Sequence, residues 1–186
     1  MALICATNWV RITVVTKLIL PTFTCVLAFA LCGASASASN TDSEQPIQIS
    51  ADAGMVNEAA GISTYSGNVA IDQGSMHILA DEVEVITANN QVIQIIARSV
   101  PDSTRLARYE HLQGNNDKPV SAEARMITYL VQEERLHLSG DARLQQTGDS
   151  FSGELLYYDV NRGIVDMKSG TGAGDRIRMT ISPKQK

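Results

Sequence analysis

Apolar residues recur at every second position through much of the chain from Ile47 onward, and nothing else in the sequence limits the fold as strongly. Ile47-Gln48-Ile49, Val69-Ala70-Ile71-Asp72, Met76-His77-Ile78, Val83-Glu84-Val85 and Ile93-Gln94-Ile95 carry the pattern in the first half. Ile127-Thr128-Tyr129, Leu136-His137-Leu138, Ala142-Arg143-Leu144, Val165-Asp166-Met167 and Ile177-Arg178-Met179 carry it in the second. A period of two places the apolar members on one face of a pleated strand and the polar members on the other. Turn signals punctuate the pattern: Ser66-Gly67-Asn68, Gln73-Gly74-Ser75, Ala88-Asn89-Asn90, Ser139-Gly140-Asp141, Gly148-Asp149-Ser150 and Asn161-Arg162-Gly163. Their close and regular spacing predicts an all-β, antiparallel meander, barrel or jellyroll. Arg98 to Leu112 is the one stretch where a short helix or an irregular loop is expected, with Pro101 near its start.

The chain also repeats itself. Ser66-Gly67-Asn68-Val69-Ala70-Ile71 resembles Ser139-Gly140-Asp141-Ala142-Arg143-Leu144, and Ala80-Asp81 matches Gly153-Glu154 at the same separation. Ser50-Ala51-Asp52-Ala53-Gly54-Met55 resembles Ser121-Ala122-Glu123-Ala124-Arg125-Met126, which pairs Asp52 with Glu123. One such unit has a single apolar face that it cannot bury alone, so two stacked units share a core. Residues 86–119 are expected to be the connection between them.

Residues 1–38 read as an address rather than fold. Arg11 and Lys17 precede the apolar run Leu18 to Leu31, which is followed by Ala34-Ser35-Ala36-Ser37-Ala38. Basic, apolar and small-residue segments in that order form a secretory signal, cleaved after Ala38 or Ala36. The run falls short of the roughly 20 residues a membrane span needs. Cleavage removes Cys5, Cys25, Cys32 and Trp9, leaving residues 39–186 as one domain with 13 basic against 20 acidic residues and no cysteine. Thiol catalysis, thiolate metal sites and disulfides are thereby excluded from the exported chain.

Composition narrows the function further. Hydrophobic residues at 44% and charged residues at 19% exclude a disordered chain, and a pI near 5.1 argues against nucleic acid, which needs a basic footprint. HExxH, GxSxG and Walker motifs do not occur. His77 and His137 occupy the polar phase of their strands. Gly170-Thr171-Gly172-Ala173-Gly174 precedes a strand-like segment, whereas a phosphate loop opens a helix. Adjacent strand residues such as Asp81-Glu82 or Glu133-Glu134 point to opposite faces and do not converge on one ion. No constellation points to catalysis, a metal or a cofactor. The inward face is aliphatic, which suits a close-packed core and fatty acyl chains equally. An exported structural or adhesive β-protein without a ligand groove is therefore the alternative reading.

Gln45-Pro46-Ile47-Gln48-Ile49, Tyr65-Ser66-Gly67-Asn68-Val69, Asp72-Gln73-Gly74-Ser75-Met76, Ile78-Leu79-Ala80-Asp81-Glu82-Val83, Lys118-Pro119-Val120 and Leu138-Ser139-Gly140-Asp141-Ala142-Arg143-Leu144, in this order, resemble the LptA (OstA-type) periplasmic lipopolysaccharide-transport family. The resemblance implies an antiparallel β-jellyroll folded as a half-open V. Its unfilled apolar interior shields the acyl chains of lipid A. Protomers associate head to tail and bridge an LptC-type inner-membrane partner to an LptD-type outer-membrane partner, without catalysis. Carried over residue by residue, the groove falls on Ile47, Ile49, Tyr129, Val131, Leu136 and Leu138. Val69, Ile71, Ile78, Val83, Leu156 and Tyr158 join them by phase. The associating edges fall on Ile47, Gln48 and Ile49 and on Ile177, Arg178, Met179, Thr180 and Ile181. One family stretch departs at Ala97 to Thr104, where Ser99 stands for a glycine and Thr104 for an aromatic ring.

Overall fold

The computed structural model describes residues 45–112, 119–172 and 176–183. The expected signal segment lies outside them. Twelve strands follow in chain order: β1 (Gln48–Ser50), β2 (Ala53–Asn57), β3 (Ile62–Gln73), β4 (Met76–Ala88), β5 (Gln91–Arg98), β6 (Ala107–Leu112), β7 (Pro119–Ala124), β8 (Met126–Leu130), β9 (Arg135–Gln146), β10 (Asp149–Asp159), β11 (Ile164–Lys168) and β12 (Arg178–Thr180). All pairings are antiparallel. The segment in which a helix or loop was expected instead divides into a connector, residues 99–106, and strand β6, which pairs β4 through Ile78↔Tyr109. Pro101 falls inside the connector and interrupts neither strand.

The pairings show how the sheet folds over. β4 pairs β3 along its length, but on its other side His77–Leu79 pair β6 and Glu82–Ala88 pair β5. β9 is divided likewise, with Arg135–Ser139 against β8 and Arg143–Gln145 against β7. Two layers result, which share bent strands. One runs β1-β3-β4-β6-β7-β9-β10-β12, the other β2-β3-β4-β5-β8-β9-β10-β11. This is an antiparallel β-jellyroll. The bends are built where the sequence permits positive φ: Gly67 (78°) and Asn68 (44°) in β3, Gly140 (75°) and Asp141 (52°) in β9. Glycine and asparagine or aspartate tolerate this region best. Registers shift beside both bends, between Ser66 and Val69 and between Gly153 and Leu155.

The two units are more alike than their sequences. Gln48↔Asp72 returns as Ser121↔Gln145, and Ala53↔Ser66 returns as Met126↔Ser139. At each bend one backbone N–H donates to the glycine carbonyl, Asp52 to Gly67 at 3.0 Å and Arg125 to Gly140 at 2.8 Å. Asp52 therefore corresponds to Arg125. The sequence pairing of Asp52 with Glu123 followed residue type and misses the true step by two. Residues 86–119 are likewise no mere connection: β5 and β6 lie within them, completing the first unit and docking onto β8 and β7 of the second.

Candidate functional site

Inward positions form continuous rows across the strands. In one layer the row runs Ile49, Ile71, Ile78, Tyr109, Ala122, Leu144, Phe151, Met179. In the other, one row runs Val56, Ser63, Val85, Ile95, Tyr129, Leu136, Tyr158, Val165, and a parallel row contains Val83, Ala97, Ile127, Leu138, Leu156 and Met167. Their buried members belong to one hydrophobic cluster. Every groove position expected from the sequence lies in this interior. Val69, Ile71, Ile78, Val83, Tyr129, Leu136, Leu138, Leu156 and Tyr158 are buried, and Ile47, Ile49 and Val131 are half-buried against them.

Val85, Ile95, Ala97, Tyr109, Ala122, Ile127, Leu144, Phe151 and Met167 belong to the same rows but were not among the expected groove positions, although alternation alone puts Val85, Ile95, Ile127, Leu144 and Met167 on the apolar face. The repeat contained the signal for some of them, since Ile71 and Ile78 correspond to Leu144 and Phe151. Tyr109 was hidden because its strand was read as helix or loop. Ala97 keeps its inward place, with no exposure, while Thr104 is exposed on the outer side of the connector.

The interior is not an empty trough along its whole length, as was expected. Over the middle it is closed by its own side chains, with Ile71, Ile95, Leu136, Leu144 and Leu156 at 0% exposure. Tyr109 and Tyr129 reach across from opposite layers, their ring centroids 5.9 Å apart and tilted by 47°. The physical reason is that an apolar gap too small for water has nothing to fill it except the opposing side chains. Open space remains at the rim: a cleft of about 350 Å³ is bounded by Ile47 and Gln73 on one side and Gln91, Val92 and Val131 on the other. Gln73 is buried there and donates from Nε2 to the Gln45 carbonyl at 3.0 Å. Unfilled apolar surface also appears at both ends. Val56 is 60% exposed at one, Met179 55% and Ile181 65% at the other.

Charge is kept outside. Arg105 reaches Asp81 at 2.6 Å, and the Val100 N–H donates to the same carboxylate at 3.1 Å, pinning the connector to β4. Burial opposes that charge, but hydrogen bonds from Ser103, Val100 and Arg105 outweigh it and hold the carboxyl below its usual range. On the other outer face His137 meets Tyr157 edge-on at 4.8 Å, and burial there lowers the imidazole pKa. Among the described residues no group of His, Asp or Glu is placed to hold a metal ion.

A two-repeat β-jellyroll with an aliphatic interior and open, apolar ends is the class of protein that this geometry defines. Residues 48–164 match the family described as "LptA/(LptD N-terminal domain) LPS transport protein", and the chain belongs to it. It is 31% identical to the lipopolysaccharide export system protein LptH of Pseudomonas aeruginosa, an alignment covering 86% of this chain and 92% of that protein. It is 29% identical to the lipopolysaccharide export system protein LptA of Escherichia coli K12, over 86% of this chain and 84% of the relative. The crystal structure of Pseudomonas aeruginosa LptH, titled as the LptA-homologous periplasmic component of the lipopolysaccharide transport device, superposes with a TM-score of 0.70. That superposition covers 77% of this chain and 100% of the other at 28% identity.

Proposed function

We propose that this chain is a periplasmic bridge that binds lipopolysaccharide without catalysis. It shields the acyl chains between its two layers and passes the molecule between inner- and outer-membrane partners of LptC and LptD type. Residues 1–38 are its cleaved signal and residues 39–186 the working domain. The observation that carries this reading is the inward rows, which run from one edge of the sheet to the other and leave an apolar side chain exposed at each edge, Val56 at one and Met179 at the other. A core serving stability alone would close at its ends.

Each methylene withdrawn from water is worth about 0.8 kcal/mol, so one chain of a dozen carbons brings roughly 9 kcal/mol before the cost of immobilising it. That is enough to part side chains held by dispersion contacts. Loading therefore starts at the rim cleft near Ile47 and Val131.

The internal joint supports a register for association between copies. β6 pairs β7 through Arg108↔Glu123, Tyr109↔Ala122 and Glu110↔Ser121. β12 holds the place of β6, since Leu79↔Arg108 returns as Ser152↔Arg178, and β1 holds the place of β7. Arg178, Met179 and Thr180 then face Ser50, Ile49 and Gln48 of the next copy, and Ile181 faces Ile47. By the same step β11 faces β2, with Val165 against Val56. Exposed edge strands recruit strands in this way.

Two experiments test the proposal. A photocrosslinking residue placed at inward Ile71 or Leu138 captures lipopolysaccharide, and one at outward Asp72 or Ser139 does not. Equal capture at all four, or capture at none, refutes the groove and favours the filled-core reading that the closed middle suggests. The exported chain has no cysteine, so Thr180→Cys with Gln48→Cys gives a ladder of disulfide-linked oligomers on oxidation. Monomer alone refutes the register.

A further inference from the structure

Arg108 and Arg178 stand at equivalent places on the outer face of one layer, beside Leu79 and Ser152 respectively. Arg108 works in a charged joint. Its Nη1 donates to Glu123 Oε1 at 3.1 Å across the β6–β7 ladder, and its Nε donates to Glu110 Oε1 at 3.0 Å. Nothing equivalent awaits Arg178 in a second copy. The register above places it opposite Ser50, Thr180 replaces Glu110, and Gln48 lies two residues along β1. The nearest carboxylate on that edge is Asp52 at the bend, which already accepts from Asn68 Nδ2 at 2.9 Å.

We infer that the C-terminal edge is matched to a partner other than this chain's own β1: a jellyroll edge strand that carries a carboxylate opposite Arg178. The inference rests on the edge-to-edge association proposed above and names the chemistry of its partner. Ile177, Met179 and Ile181 accept any apolar edge, so the inner row does not choose between partners. The outer row does, because it is there that a cation is matched or left facing a hydroxyl. Rim charges set partner choice in this way more than they set total affinity. Own-copy pairing stays possible, since Arg178 remains hydrated opposite Ser50, but it lacks the ion pair that the internal joint has.

Two single-edged chains isolate one joint. Ile49→Asp blocks the β1 edge of the first chain, and Met179→Asp blocks the β12 edge of the second; circular dichroism checks both folds, and Ile47→Asp replaces Ile49→Asp if that chain unfolds. Ser50→Glu in the second chain is the carboxylate-bearing probe. It binds the first chain roughly two- to fivefold tighter than the Ser50 form at low salt, the range of an exposed ion pair. The gain vanishes at high salt and with Arg178→Ala in the first chain, and Arg178→Ala leaves binding to the Ser50 form unchanged. No gain from Ser50→Glu overturns the inference. So does a several-fold loss from Arg178→Ala against Ser50, which would show Arg178 already partnered through Asp52. If the two folded chains do not associate at all, the edge-to-edge reading itself falls, and the inference with it.

Discussion

The joint between the two repeats and the two free ends of the sheet are the same surfaces in different settings. Inside the molecule β5 and β6 meet β8 and β7, Tyr109 packs against Tyr129, and Arg108 is bonded to Glu123. At the ends the corresponding strands are short and exposed. Met179 and Val56 stand where the two tyrosines stand, and Ser50 stands where Glu123 stands. The difference teaches that the same strand geometry is covered inside the molecule and left uncovered at its ends by the choice of side chains. Rings and an ion pair clamp the internal joint. At the ends, Met179 and Val56 stand exposed instead.

The largest effect is expected at the joint. Tyr109→Ala removes a buried ring and should cost about 3–5 kcal/mol of unfolding free energy, read by urea denaturation. Met179→Ala at the equivalent outer place should cost under about 0.5 kcal/mol, as exposed substitutions do. Similar losses at both sites would break the comparison. Next come the bends. A Cβ on Gly140 would stand 3.0 Å from the Arg125 Cβ, and one on Gly67 would stand 2.8 Å from the Asp52 Cβ, both at positive φ. Gly140→Ala and Gly67→Ala should each lose about 1–3 kcal/mol. A large loss at one bend and none at the other would show that the repeats are not equivalent at their corners.

Met179→Asp sharpens the contrast from the other side. Sedimentation should show self-association weakened at least tenfold, with thermal stability unchanged, because an aspartate cannot be buried unpaired in an apolar row. Unaltered association would place the contact elsewhere. The smallest effect concerns the connectors. Asp81 pins residues 99–106, whereas its counterpart Glu154 is exposed. A carboxyl with a depressed folded-state pKa stabilises fully above its unfolded value, near 4, and that contribution is lost as pH falls through the folded value. Asp81→Asn should therefore destabilise at neutral pH and lose its effect as the pH falls through the lowered folded-state value, while Glu154→Gln, an exposed substitution, should matter little. A pH-independent loss for Asp81→Asn would mean that its hydrogen bonds, not its charge, hold the connector.

Alternation made the strands legible, because each side chain's face follows from its position alone. It put Ile71, Ile78, Leu136, Leu138 and Leu156 on the inward face, whereas Ser66-Gly67-Asn68 and Ser139-Gly140-Asp141, which read as turns between strands, are bends inside β3 and β9. It failed from Arg98 to Leu112, where Pro101 and polar residues masked a strand whose one large inward ring, Tyr109, belongs to the centre of the interior. The match of Ser50–Met55 to Ser121–Met126 gave a false step because residue likeness is not register; backbone hydrogen bonds to Gly67 and Gly140 fix that.

The sequence by itself determined which face of each strand is apolar, that two units must share it, and that residues 39–186 contain no thiol. Only the tertiary structure decided how far the shared face is filled and how the units join. Facing is a local consequence of the two-residue pleat. Closure over the middle, the cleft at the rim and the exposed ends depend on which distant side chains meet across the layers, and no local pattern records that.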